Sequence, residues 1–170
     1  MLGLYDNFPE NIHRIASYTF SVPIRKLQEK FVQALSEANN KAPSPEEINQ
    51  PGLRECEIFL ETGVAESESF NYLDEEATGR LQEAIRREPL RNIDFFFAAR
   101  YYRTREEKKT PLRFDYFLVR AVFLDGNLDM RIFHERGPRY ISPEDVSNFV
   151  VERINRISTR KILKSVVKSH

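Results

Sequence analysis

The dipeptide Asp125-Gly126 constrains this chain more than any other feature. It stands between two stretches, 114–124 and 128–135, that alternate apolar residues with others. Alternation at every second position is the period of a strand with one buried face. Asp-Gly between two such stretches predicts a two-residue hairpin turn of type I′, in which both central residues take positive φ.

That turn sets a register, with Leu124 facing Asn127. One face then holds Phe117, Val119, Ala121 and Phe123 opposite His134, Ile132, Met130 and Leu128. It is apolar apart from His134 and is assigned to the core. The other face pairs Leu118 with Phe133, Arg120 with Arg131 and Val122 with Asp129. A slip of one residue would carry Asp129 and Arg131 into the core, so pattern and turn agree.

Other elements join this hairpin. Residues 93–104 (IDFFFAARYYRT) form an aromatic-rich strand, followed by a charged loop at 105–110 closed by Pro111. Residues 53–64 alternate as well, with Cys56, Ile58, Leu60 and Thr62 on one face and Glu55, Glu57, Phe59 and Glu61 on the other. Residues 12–20 read as a first strand, with Arg14, Ala16, Tyr18 and Phe20 on one side, although the same stretch is open to a short helix.

Three helices are expected. The first starts at Ser21 as cap with Pro23 in the first turn, and buries Ile24, Leu27, Phe31, Leu35 and Ala38 before Asn39 and Asn40. Asp74 caps the second, whose stripe is Ala77, Leu81, Ala84 and Ile85, with Pro89 as its stop. The third carries Ser142 as cap, Pro143 at its first position, and Glu144 and Asp145 in its first turn, with Val146, Phe149, Val150, Ile154 and Ile157 inward. Residues 158–170 then form either an extended basic helix, through Ile162, Leu163, Val166 and Val167, or a tail. Between the elements, 41–52 is a Pro-rich loop with a helical turn over 45–48, and 66–70 is a polar connection.

The order β-α-β-α-β-β-β-α implies an α+β fold, an antiparallel sheet with helices mainly on one face and a long C-terminal helix. A length of 170 residues suits one domain, 1–170, with an irregular arm at 1–11. No apolar run reaches the roughly 18 to 20 residues of a membrane span. The start carries Asp6 and Glu10 and lacks an apolar leader, and Cys56 is the single cysteine, which favours a reducing, cytoplasmic setting.

Charge is divided unevenly. Residues 1–79 hold 6 Lys/Arg against 14 Asp/Glu, a net −8, and residues 80–170 hold 20 against 12, a net +8. The halves either pair with each other or serve an anionic partner. Gly-rich phosphate loops, zinc-ligand spacings and nucleophile motifs are absent from the sequence, so no cofactor is expected. A carboxylate-only Mg²⁺ site stays conceivable.

The candidate site is the second sheet face. Arg120 and Arg131 lie opposite each other there, with Arg100 and Tyr102 on the neighbouring strand. Opposed guanidiniums repel, so an anion is expected beside them. It is either a bound ligand or a ladder of Glu55, Glu57, Glu61 and Asp129. The loop with Arg136 and Arg139 is a second candidate anion site, ahead of a helix N-terminus. A third is the basic stretch Arg153, Arg156, Arg160, Lys161, Lys164 and Lys168. Acid–base chemistry by Glu55, Glu57 or Glu61 is a fourth, and His134 reads as a core histidine.

Leu118, Val122, Leu124 and Phe133 would make an apolar patch on the same face and are a candidate interface. The leading expectation is a non-enzymatic binding or assembly module, a homodimer or a protein-partner complex. The alternatives are nucleic-acid binding through the arginine-rich face and basic C-terminus, and an enzyme acting on a small anionic substrate.

Overall fold

The computed structural model of the protein describes residues 1–44, 46–48, 56–105 and 107–166. Their elements run β1 (Arg14–Thr19), α1 (Ile24–Ala38), β2 (Cys56–Glu66), β3 (Ser69–Tyr72), α2 (Glu75–Arg87), β4 (Asn92–Arg105), β5 (Lys108–Leu124), β6 (Asn127–Arg136), α3 (Pro143–Ile157) and β7 (Lys164–Ser165). The strands form one antiparallel sheet in the order β3-β2-β4-β5-β6-β1-β7. The fold is α+β, as the sequence implies.

The hairpin register is the expected one. Phe117 faces His134, Val119 faces Ile132, and Arg120 faces Arg131. The turn itself differs from type I′: Gly126 has φ 75°, and Asp125 does not share the positive φ. Alternation of buried side chains holds the register, and the turn only has to close it.

The odd-numbered residues of β4 and β5 face the helices. Phe95, Phe97, Phe117 and Val119 join Leu27, Phe31, Leu81, Phe149 and Ile154 in one buried cluster. Phe31 meets Phe95 and Phe123 edge-on, and Phe97 meets Phe149 likewise, the geometry that aromatic quadrupoles favour. Gln28, buried on α1, seals the chain leading into β4: its Nε2 donates to the Leu90 carbonyl and its Oε1 accepts from the Leu90 N–H.

The expected caps of α2 and α3 are present. Asp74 accepts from the N–H of Ala77, and Ser142 and Asp145 form a reciprocal capping box. Helix α1 begins later than expected. Pro23 is its N-cap and no side chain caps it, so Ser21 lies outside the helix.

Three segments differ from expectation. Residues 66–70 turn tightly at Ser67 (φ 57°) and enter strand β3, which pairs with the end of β2. The charged stretch at 105–110 is mostly ladder, with Arg105 facing Lys108 and Arg103 facing Thr110. Pro111 sits inside β5, where the register shifts between Arg100 and Tyr102, an irregularity that tolerates a missing N–H. Helix α3 stops at Ile157 rather than running on. Ile162 and Leu163 are buried, and β7 pairs with β1. Of the helical turn expected at 45–48, Glu47 and Ile48 donate to the Ser44 carbonyl. Pro45, residues 49–55 and residues 167–170 lie outside the described residues, and with them Pro51, Leu53, Glu55, Val167 and Lys168.

The arm at the N-terminus is irregular and docked. Its Gly3 bridges the diverging ends of β2 and β4, donating to the Ala65 carbonyl and accepting from the Asp94 N–H, each at 2.7 Å. Among the described residues no helix is long and apolar enough to cross a membrane.

Two glycines give opposite predictions. A Cβ on Gly63 would stand 2.1 Å from the Phe96 ring and 2.7 Å from the Asn71 carbonyl, whereas one on Gly79 of α2 meets nothing within 4 Å. Gly63→Ala should destabilise the fold by about 1–3 kcal/mol through overpacking. Gly79→Ala should stabilise it by roughly 0.5–1 kcal/mol through helix propensity. Urea unfolding measures both, and a neutral Gly63→Ala would contradict the packing described.

Candidate functional site

The face of the sheet turned away from the helices is built in rows, because residues paired across antiparallel strands project to the same side. One row runs Ile15, Arg131, Arg120, Asp94 across β1, β6, β5 and β4. Beside it lies Phe133, Leu118, Phe96, and on the other side Ser17, Asp129, Val122, Asn92. Further along come Arg136, Tyr116, Ala98, Glu61 and then Phe114, Arg100, Phe59.

The centre of this face is covered by the arm. Phe96, Ala98 and Leu118 are buried, with Tyr5, Phe8, Phe70, Tyr116 and Phe133 packed against them. Gly63 leaves the space that Phe96 fills. Leu118 is therefore interior, not interface. Phe133 is half-buried and stacks on His13, their ring centroids 4.7 Å apart. Val122 is half-buried, and Leu124, at the hairpin end, is 49% exposed.

Each arginine of the face meets a different environment. Arg120 has a two-pronged contact with Asp94, Nε to Oδ1 at 2.7 Å and an Nη to Oδ2 at 2.8 Å. Asp94 is fully buried, and its Oδ2 also accepts from the Tyr5 N–H at 2.8 Å. The Phe8 ring lies 4.4 Å from the guanidinium carbon of Arg120. Arg100 is paired with Glu61 and lies over Phe114. These carboxylates raise the pKa of both arginines, chiefly through direct hydrogen bonds.

Arg136 reaches the same Phe114 ring from its own strand, and also Tyr116, each at 5.7 Å. Tyr102 is half-buried and lies across from Glu57 and Pro111. Arg131 is the exception among the arginines of the central rows. Among the described residues no carboxylate pairs with it, and its Nε is buried without a hydrogen-bond partner. Of the carboxylates expected to form the ladder, Glu61 meets Arg100, Glu57 meets Lys109 at 3.1 Å, and Asp129 accepts from the Ser17 hydroxyl at 2.8 Å.

Arg139 is not on this face. It belongs to the loop from β6 to α3, beside a buried polar cluster centred on Asp115. Asp115 accepts from the Tyr101 hydroxyl (2.6 Å) and from the backbone N–H groups of Arg139 (2.7 Å) and Tyr140 (2.9 Å), and it contacts His134 Nε2 at 2.8 Å. With Asp115 as acceptor, Nε2 carries the hydrogen, and His134 Nδ1 is free to accept from Arg139 Nε at 3.3 Å. The loop read from sequence as a possible phosphate holder thus turns its N–H groups on a carboxyl group of its own chain.

Burial, then the hydrogen bond to Asp115, pushes the Tyr101 hydroxyl well above the ordinary tyrosine range. Burial, then Glu135, pushes Tyr116 up to about 12. Among the described residues no group of His, Cys, Asp and Glu could hold a metal ion.

Sequence reasoning missed Asp94, Asp115, Tyr101 and His13. Counting back by twos from Arg100 reaches Asp94, so its side of the strand was readable. What sequence lacked was the β4–β5 register, because no tight-turn dipeptide marks that hairpin. Asp115 shares the parity of Phe117, and a carboxylate in line with a core histidine is the signal that would have found it.

Removing one partner of a buried pair leaves an uncompensated charge. Arg120→Ala should cost about 3–5 kcal/mol in chemical unfolding, and the double variant Asp94→Leu/Arg120→Met distinctly less. Additive losses would show that the pair is not coupled. Tyr101 and Tyr116 have raised pKa values, so their contribution to stability is intact below pH 10, the unfolded value, and is lost as pH rises toward their folded values. Stability measured from pH 9 to 12 should therefore fall, and fall less in Tyr116→Phe.

Comparison of the chain with family models, with curated proteins and with solved structures returned no match.

Proposed function

We propose that the protein is a non-enzymatic assembly module that associates with a second copy of itself through the helix-free face of its sheet. One observation carries the reading: among the described residues Arg131 has no acceptor for its buried Nε and no carboxylate partner, and it lies directly beside Ile15, which is 59% exposed. The residue is half-buried, so a carboxylate brought by a partner could still balance the guanidinium charge from the solvent side. Ile15, Leu124 and Val122 supply apolar contact around that charge.

The chain also carries opposite charge, since its first half has the net charge of −8 noted above. Opposed charges on two copies would set orientation and speed encounter, with apolar contact supplying the affinity.

The two alternatives draw on the same arginines. Nucleic-acid binding and anionic-substrate catalysis both need free guanidiniums, and Arg100 and Arg120 are already committed to Glu61 and Asp94. Arg131 and Arg136 remain for either role.

Sedimentation of the full chain over a range of concentrations tests the proposal. Self-association should weaken with added salt, and Arg131→Glu or Ile15→Lys should weaken it by about 30-fold, near 2 kcal/mol. A monomer at every concentration would overturn self-assembly. Retardation of single-stranded RNA or DNA, lost in Arg131→Glu, would favour nucleic acid instead.

A further inference from the structure

The segment after α3 gathers three cations into one cleft. Asn155, near the end of the helix, holds this segment in place. Its Oδ1 accepts from the N–H groups of Ile162 (3.0 Å) and Leu163 (2.9 Å), and its Nδ2 donates to the Leu163 carbonyl at 3.1 Å. Ile162 and Leu163 are buried. On the far side Lys164 and Ser165 pair with β1, and the Thr19 hydroxyl donates to the Lys164 carbonyl at 3.5 Å.

Anchored at both ends, the segment faces residues 19–22 across a cleft of about 420 Å³. Arg160, Lys161 and Lys164 line it with Thr19, Ser21 and Ile162, and no carboxylate is among its lining residues. The neighbouring cations of the same stretch are spoken for. Arg153 donates to Glu47 at 2.5 and 3.3 Å, and Arg156 lies 3.9 Å from the same carboxylate. Among the described residues, Arg160, Lys161 and Lys164 have no such partner. Uncompensated positive charge is thus concentrated at the cleft rather than spread along the basic stretch.

We propose that this cleft binds the phosphate group of a phosphorylated ligand. Arg160 offers a planar fork of donors, the two lysines offer point charges, and the Ser21 hydroxyl adds a neutral donor. The volume is that of a small-molecule site, large enough to take organic matter beside the phosphate against Ile162. Because the backbone bearing the cations is already fixed by Asn155 and by β7, little ordering is needed on binding. The inference does not depend on self-assembly through the sheet face.

The test is an amide NMR titration of the full chain at constant ionic strength, with inorganic phosphate and with adenosine monophosphate as separate probes. Saturable shifts are expected at Thr19, Ser21, Lys161 and Lys164. Arg160→Ala/Lys161→Ala/Lys164→Ala should weaken binding by about tenfold or more, while Arg86→Ala/Arg91→Ala changes it less than about twofold. Asn155→Ala retains every cation and should still weaken binding, because it frees the segment. Circular dichroism verifies that each variant is folded. Co-sedimentation with phosphatidylcholine vesicles, with and without a phosphorylated inositol lipid, separates the sources. Capture by the phosphorylated vesicles alone assigns the phosphate to a lipid headgroup, and its absence beside saturable monophosphate binding assigns it to a free ligand. Shifts that stay linear up to about 10 mM, or equal loss in both multiple variants, would overturn the proposal.

Discussion

The pairing of β4 with β5 is the constraint on which the rest depends. Every residue of β4 from 93 to 99 is buried, so this strand is covered on both faces. The helices cover one face through Phe31 and Phe149, and the N-terminal arm covers the other through Tyr5 and Phe8. A strand buried on both sides loses the polar alternation of a solvated one, which is why the run IDFFFAA is so apolar. Its register against β5 then decides which side chain faces helix, arm or water.

Two aspartates show how that pairing handles polarity inside the fold. Asp94 projects toward the arm and Asp115 toward the helices, and both are fully buried. Each is surrounded by donors drawn from distant parts of the chain. Asp94 gathers Arg120 and the Tyr5 N–H, and so ties the arm to the sheet. Asp115 gathers Tyr101, His134 and two backbone N–H groups, and so sets the path from β6 into α3. Burying a polar group is tolerable only when its bonds are met, and here they are met by the segments that most need positioning.

The same logic separates the arginines of the outer face. Arg100 and Arg120 are neutralised within the chain, so they hold the structure together and offer little to a partner. Among the described residues Arg131, opposite Arg120 and next to Ile15, is left with an unmet donor, and Arg136 lies by aromatic rings with no carboxylate partner. Opposed charges in the two halves of the chain are partly consumed inside it, as by Arg153 with Glu47, and partly left at the surface.

Local sequence determined the features that rest on periodicity and caps. The β5–β6 register, the core face from Phe117 to Phe123, the stripe of α1 and the capping box of α3 were all readable, because each follows from neighbours within a few residues. Sequence was less informative where the partner is remote. Strand β3 is too short to show a period, the β4–β5 hairpin has no turn signature, and the end of α3 is fixed by Asn155 reaching to residues 162 and 163. Only the tertiary structure decided which carboxylate each arginine meets, that the arm and not solvent covers Leu118, and that Arg160, Lys161 and Lys164 converge on one cleft. Those outcomes depend on contacts between residues far apart in the chain, which alternation and helical period do not encode.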